Sequence, residues 1–303
     1  RRVRYVEAAQ RVHPTGRVVK TSLQRQRWVA PSVALGLSVV ALVAGGGAQR
    51  LPSPPSMDTC AVVGVGLSPH LLYESDPLDT FVARTGFVVR YDAVRHQPAF
   101  TVHELRPEAL AADGRPPAVR RSGFRVETIE GGGLTARDAD YAGSGYDRGH
   151  FVPAGDFVWD QAGKDETFTY FNVAPFNANL NRGAWAVLEG AVRDLVSQTG
   201  GAAYIVTGSL FVFPTGTIGP DSLVVPSHFY KLVYHPATDA AYAFLFDNTV
   251  IGYAGDLSDF QTTVDFVEAV AGEDFYDRLD DACEGPLERA LTPLVGARAV
   301  GFR

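Results

Sequence analysis

The sequence predicts a domain of the α+β class beginning near Leu67, and three observations predict it. Runs rich in β-branched and aromatic residues recur between short polar turns. One long stretch among them carries apolar residues at helical spacing instead. The composition, 46% hydrophobic and 20% charged over 303 residues, is that of a globular chain able to bury a sizeable core. Single cores rarely grow past about 250–300 residues, so the length allows one large domain or two small ones. Organisation along the chain favours one domain with extras.

In chain order, residues 1–27 form a basic leader, with seven arginines and Lys20 against the single acid Glu7. Residues 28–48 hold no charged side chain. At ~1.5 Å per residue a helix of that length reaches across a ~30 Å hydrocarbon layer. The small residues Gly46, Gly47 and Ala48 also suit a cleavable signal or organelle leader, and a buried core helix is the third reading. The Pro- and Ser-containing linker over 49–66 detaches the segment from the domain and disfavours that third reading. An Arg-rich, acid-poor start fits a mitochondrial presequence leading into a membrane anchor. Arg1 in place of methionine suggests an incomplete chain.

Within the domain, 87–91 and 99–105 read as a β-hairpin. Further strands are expected at 168–173, 202–211, 229–235 and 241–246. Between the first two of these, Trp185, Leu188, Val192, Leu195 and Val196 predict a helix over 180–197, stopped by Thr199-Gly200-Gly201. Shorter helices are expected at 262–271 and 285–295. Cys60 and Cys283 are too few for a disulfide framework and read as free thiols or one incidental bridge.

Charge narrows the function. Of 27 Lys and Arg and 34 Asp and Glu, eight and one fall in residues 1–27, so the remainder carries 19 basic against 33 acidic side chains, a net −14. Such a chain does not coat nucleic acid through bulk charge, because non-specific affinity comes from Lys and Arg neutralising phosphates.

Chemistry concentrates in two places. Asp147-Arg148-Gly149-His150 comes after a turn-rich approach. Gly149 is expected to let the chain turn sharply, so that Arg148 and His150 face one cleft. His150 is the candidate general base, because an imidazole titrating near pH ~6.5 accepts a proton from water at neutral pH. Arg148 offers a planar fork of donors to a phosphate, and Asp147 is expected to turn inward and fix a hairpin. The second place runs from Asn172 through Asn177 to Asn181-Arg182-Gly183-Ala184-Trp185, with Glu189 beyond. Magnesium prefers oxygen ligands, keeps several waters and takes one or two protein groups. The Asn181 carbonyl suits it, although a helix N-cap would also explain that asparagine. On a regular helix Glu189 lies ~12 Å along and ~80° around from Asn181, which predicts that it holds a metal-bound water. Asn172 and Asn177 also suit the loop after a strand.

These residues, in this order and spacing, resemble the DNA/RNA non-specific endonuclease family of ββα-metal nucleases, the His-Me finger fold. The endonuclease G branch of mitochondria is the nearest likeness, through 104–110, 140–146 and 225–231. The likeness spans 67–279, leaving 280–303 as a distinct tail. It implies a mixed or antiparallel central sheet flanked by helices, and hydrolysis of phosphodiester bonds in DNA and RNA with magnesium, or with manganese in its place. By the resemblance, His150 is the general base, Asn181 the direct ligand and Glu189 the residue that orients a metal water. Arg148 and Asn172 are expected in supporting positions near the scissile phosphate and metal, and Arg125, or else Arg121, is expected to grip the phosphate from upstream. A homodimer is implied, as is a mitochondrial location at the inner membrane or intermembrane space. A secreted or periplasmic scavenging nuclease is the alternative, and an inactive nucleic-acid-binding protein on the same scaffold is the alternative of another class.

Overall fold

The structure is a computed structural model, described for residues 81–294 apart from Asp113, Arg115, 130–131, 250–255, 277–278 and Asp280. The leader, the apolar segment, the linker and residues beyond 294 lie outside the described residues. Among the described residues no helix is long and apolar enough to cross a membrane.

The elements in chain order are β1 (Phe81–Ala83), β2 (Phe87–Asp92), β3 (Gln97–Leu105), α1 (Pro107–Leu110), α2 (Asp138–Tyr141), β4 (Tyr146–His150) and α3 (Gln161–Thr167). Next come β5 (Val173–Asn177), α4 (Ala178–Leu180), a π turn at Asn181–Trp185, α5 (Ala186–Thr199) and β6 (Ala203–Leu210). The chain continues through β7 (Thr217–Ile218), β8 (Leu223–Val224), β9 (His228–His235), β10 (Ala240–Asp247), β11 (Gln261–Thr262), α6 (Val264–Ala271) and α7 (Asp281–Arg289).

Seven strands form one sheet in the order β1-β2-β3-β6-β9-β10-β11, with every pairing antiparallel. Alternation along the strands builds two cores, because successive side chains point to opposite faces. Ala203 and Ile205 of β6, Phe229 and Val233 of β9, and Tyr242, Phe244 and Phe246 of β10 pack with α5 through Leu188, Val192, Leu195 and Val196. Tyr204 and Val206, Tyr230 and Tyr234, and Ala241 and Ala243 face the other way and pack with Val264 and Val267 of α6. Both faces of the central strands are covered, which explains why they read as unbroken apolar runs.

The helix predicted at 180–197 is present but interrupted. Asn177 caps α4, its side-chain oxygen accepting from the Asn179 amide at 2.9 Å, so Asn181 is not the N-cap. The π turn comes next, and Gly183 within it leaves helical angles (φ −106°, ψ −112°). α5 then ends at Gly200 with φ 70°, the left-handed stop expected there. The strand expected at 168–173 is displaced to 173–177. Pro175 reads as a breaker, but β5 pairs with β4 alone, so the missing N–H breaks no second ladder. The last helix starts earlier than expected, at Asp281, and ends ahead of Thr292-Pro293, where proline disfavours helix at the preceding residue. Leu287 on it joins the second core and Leu294 the first, tying this part of the 280–303 tail to the domain. Cys283 is in a disulfide, not a free thiol, and its partner lies outside the described residues.

β4 and β5 pair in register, with Gly149 opposite Ala174 and His150 opposite Val173, and lead through α4 and the π turn into α5. Phe176 of β5 seats this hairpin on the main sheet: its ring stacks on Phe229 with centroids 3.5 Å apart, and Trp185 lies 5.2 Å away. Gly149 adopts no turn here, contrary to expectation. It lies within β4, where a Cβ would come within 2.0 Å of the Phe176 ring. The glycine permits close packing of hairpin against ring, not a reversal of the chain.

Candidate active site

Residues two apart on a strand share a face, and β4 accordingly brings Arg148 and His150 to one cleft of about 230 Å³. Asn181 from the π turn, Glu189 from the first turn of α5, Arg120 and Arg193 complete its polar and charged lining. The regular-helix separation of Asn181 from Glu189 does not hold, because the π turn changes the phase between them, and both line the same cleft.

His150 stands between Phe124 and Phe168, ring centroids 5.3 and 5.1 Å away. Its Nε2 is buried without a hydrogen-bond partner, so Nδ1 is the nitrogen open to the cleft. Burial, reinforced by the Arg120 guanidinium, lowers its pKa to about 3. The ring is therefore neutral at physiological pH, with an unprotonated ring nitrogen to offer the cleft.

Asp147 organises the metal side. Arg182 donates to it through both Nε (2.8 Å) and Nη2 (2.6 Å), and Asn181 Nδ2 donates to Oδ2 at 3.0 Å. Burial works against the Asp147 carboxylate, but these donors outweigh it and hold the group below the usual range. With its amide nitrogen anchored, Asn181 keeps its oxygen for a ligand. One amide oxygen and one carboxylate in a cleft otherwise open to water suit magnesium, which dehydrates reluctantly and takes few protein groups. The donor set fits a hard divalent ion.

Beneath the cleft lies a buried charge network that sequence reasoning missed. Arg193 lines the cleft and donates to Asp156 Oδ1 at 2.9 Å, while His103 Nε2 meets Asp156 Oδ2 at 3.0 Å. Lys231, 2% exposed, donates to the Thr207 hydroxyl at 2.6 Å and sits over the Trp185 ring at 4.8 Å. Burial pushes Glu189 upward and Lys231 downward, and each is drawn back by the other's charge. No local motif announces this set, since its members come from β3, β9, α5 and the turn after β4 and meet only in the fold.

The remaining expected residues divide. Arg148 is braced by Tyr170, which accepts from Nε at 3.0 Å, and by Asp138 at 2.6 Å from Nη2. Arg121 is paired with Asp165, and Arg125 contributes its backbone to a bridge with Thr169. Neither lines the cleft. The upstream arginine that does is Arg120, whose guanidinium lies 5.1 Å from the Phe168 ring. Asn172, expected near the scissile phosphate and metal, is fully buried. Its oxygen accepts from Val152 N at 3.0 Å and its nitrogen donates to the carbonyls of Val152 (2.9 Å) and Thr167 (3.1 Å). That asparagine clamps the chain leaving His150.

A sequence profile of the DNA/RNA non-specific endonuclease family matches residues 73–282. The chain is 32% identical over 234 residues to Nuclease C1 of Cunninghamella echinulata var. echinulata, across 73% of this chain and 92% of that protein. It is 32% identical over 203 residues to the mitochondrial endonuclease G of Homo sapiens, across 63% and 67%. Among solved structures, the complex of EndoG with its inhibitor EndoGI superimposes with a TM-score of 0.62 at 30% identity, across 72% of this chain and 95% of that one.

Proposed function

The chain belongs to the DNA/RNA non-specific endonuclease family and is a metal-dependent phosphodiester hydrolase, and we propose that His150, Asn181, Glu189 and Arg148 carry its chemistry with magnesium. The observation that carries this reading is the anchoring of Asn181 by Asp147, which leaves the amide oxygen in the same cleft as the neutral His150. His150 Nδ1 takes a proton from the attacking water, and the Phe124 and Phe168 rings hold the imidazole in place. Arg148, Arg120 and Arg193 present guanidinium donors to the non-bridging oxygens, and Asp138 and Tyr170 fix the first of these in orientation. Magnesium held by Asn181, and through water by Glu189, would neutralise charge on the phosphate and on the leaving 3′ oxygen.

Plasmid nicking in magnesium and in EDTA tests the assignment. His150→Ala should lower turnover by about 10²–10⁴-fold, the usual scale for a general base, in a chain that still folds. Asn181→Ala should shift the magnesium titration upward. Near-wild-type cleavage by the first variant, or an unshifted titration in the second, overturns the corresponding role.

We extend the proposal to both DNA and RNA as substrates and to a homodimer. We also place the enzyme in mitochondria, at the inner membrane or intermembrane space, with residues 28–48 as anchor or processed leader. The mitochondrial relatives support the organelle. Fractionation of cells carrying the tagged full chain tests it, and recovery in the medium or periplasm favours secretion instead.

A further inference from the structure

On the face of the sheet away from α5, α6 and α7 bring acidic side chains together with nothing to do in the reaction. Asp265 and Glu268 of α6 and Glu288 of α7 each place a carboxylate oxygen within 4.8 Å of the others, and Asp274 and Glu284 form a second such group with the same Glu288. Acidic residues often cluster on a surface without consequence, but Glu288 is not on the surface. It is 8% exposed, and its Oε1 is buried with no hydrogen-bond partner. Beside it the Tyr276 hydroxyl is likewise buried and unpartnered. Glu268 is partly satisfied, its Oε1 accepting from the Phe275 amide at 2.8 Å. Burial, with the like charges of Glu268, Glu284, Asp265 and Asp274, pushes Glu288 up to about 8. A buried carboxyl group in such company either stays protonated or has its charge compensated by a cation, because an unpaired charge there costs far more than a solvated one.

We propose that Asp265, Glu268 and Glu288 form a second cation site, selective for calcium, that pins α7 to α6. Calcium takes six to eight oxygens in flexible geometry and favours carboxylate-rich sets, whereas magnesium demands a near-ideal octahedron and keeps its waters. The contrast with the cleft is chemical: one amide oxygen and one carboxylate there, three convergent carboxylates here. α7 carries Leu287 into the second core and Cys283 into a disulfide, so the ion would add a third tie at the same helix. The site is independent of the catalytic assignment.

Thermal unfolding of the full chain, stripped with EGTA and titrated with calcium or magnesium, tests the proposal. Calcium should raise the unfolding temperature of the wild type and of Asn181→Ala alike, and magnesium should raise both far less. In Glu288→Gln the calcium shift should vanish, while plasmid nicking in magnesium stays at the wild-type rate. Should Glu288→Gln fold poorly, Asp265→Asn, at an exposed position, should raise the half-maximal calcium concentration about tenfold, since carboxylate count tunes such sites. A wild type indifferent to calcium overturns the proposal, as does a calcium shift that survives both substitutions.

Discussion

At Asn181 the choice between metal ligand and helix cap turns on one hydrogen bond. Its Nδ2 is held by Asp147 at 3.0 Å, and the capping position belongs to Asn177. Partners that orient a ligand are worth about 10–100-fold in metal affinity. Asp147→Ala should therefore raise the magnesium concentration for half-maximal cleavage by that order while leaving the rate at saturating magnesium largely intact; a superimposable titration would remove Asp147 from the site. His150 makes a second residue-scale prediction. Its folded pKa of about 3 lies below the ~6.5 of a free imidazole, so the neutral base persists as pH falls well below 6.5. The acid limb of kcat/KM, which reports groups of the free enzyme, should lie well under pH 6. A limb centred near 6.5 would contradict the buried, Arg120-flanked environment. The same shift works against stability in acid: the unfolded chain binds this proton below ~6.5 and the folded one does not, so His150 lowers stability as pH falls from there toward 3.

The β4-β5 hairpin and the turn into α5 set the site, and their fit to the main sheet is tight at one point. A methyl group on Gly149 would meet the Phe176 ring at 2.0 Å, and that ring is stacked on Phe229 with no room behind it. Gly149→Ala should cost about 1–3 kcal/mol or more, as overpacking does, and should lower cleavage as well, because His150 is the next residue. Thermal unfolding and nicking read the two effects, and a variant with wild-type stability would mean that the hairpin yields to the added methyl. This glycine shows where sequence reading succeeds and where it stops. Its importance is legible, but its reason is not: a DRGH segment looks like a turn, and only the pairing with β5 reveals a close approach of backbone to aromatic ring. Strands β2, β3, β6, β9 and β10 are legible within a residue or two from their β-branched and aromatic runs. β5 is not, because Pro175 is a breaker except at a strand with a single partner. Of the site, His150, Arg148, Asn181 and Glu189 are readable from local spacing and do converge. Asp156, His103, Lys231 and Arg193 lie in four separate segments, and no local pattern joins them. The family resemblance points to Arg125 or Arg121, whereas the arginine that lines the cleft is Arg120, because a resemblance in sequence does not tell which of three neighbouring arginines turns inward.

For the whole molecule, the problem is how a chain with net charge −14 over residues 28–303 holds a polyanion. The cleft answers it locally, with Arg120, Arg148 and Arg193 lining it beside the proposed metal ligands Asn181 and Glu189. Two of these are already braced by acids, Arg148 by Asp138 and Arg193 by Asp156, which holds their forks in place without adding net positive charge outside the cleft. Binding should thus involve few phosphates and release few counterions. For B-DNA the slope of log K against log salt is about −0.9 per phosphate neutralised, so three cleft arginines predict a slope of about −3. A protein making many phosphate contacts reaches about −10. The measurement uses duplex DNA and the His150→Ala variant in EDTA, so that neither cleavage nor the divalent ion contributes. Arg120→Gln should then flatten the slope by about one unit, whereas Arg121→Gln, its partner Asp165 being on the protein surface, should leave it unchanged. A slope near −10, or equal effects from the two substitutions, would mean that the contacts spread beyond the cleft and that the acidic surface is crossed by a basic track elsewhere.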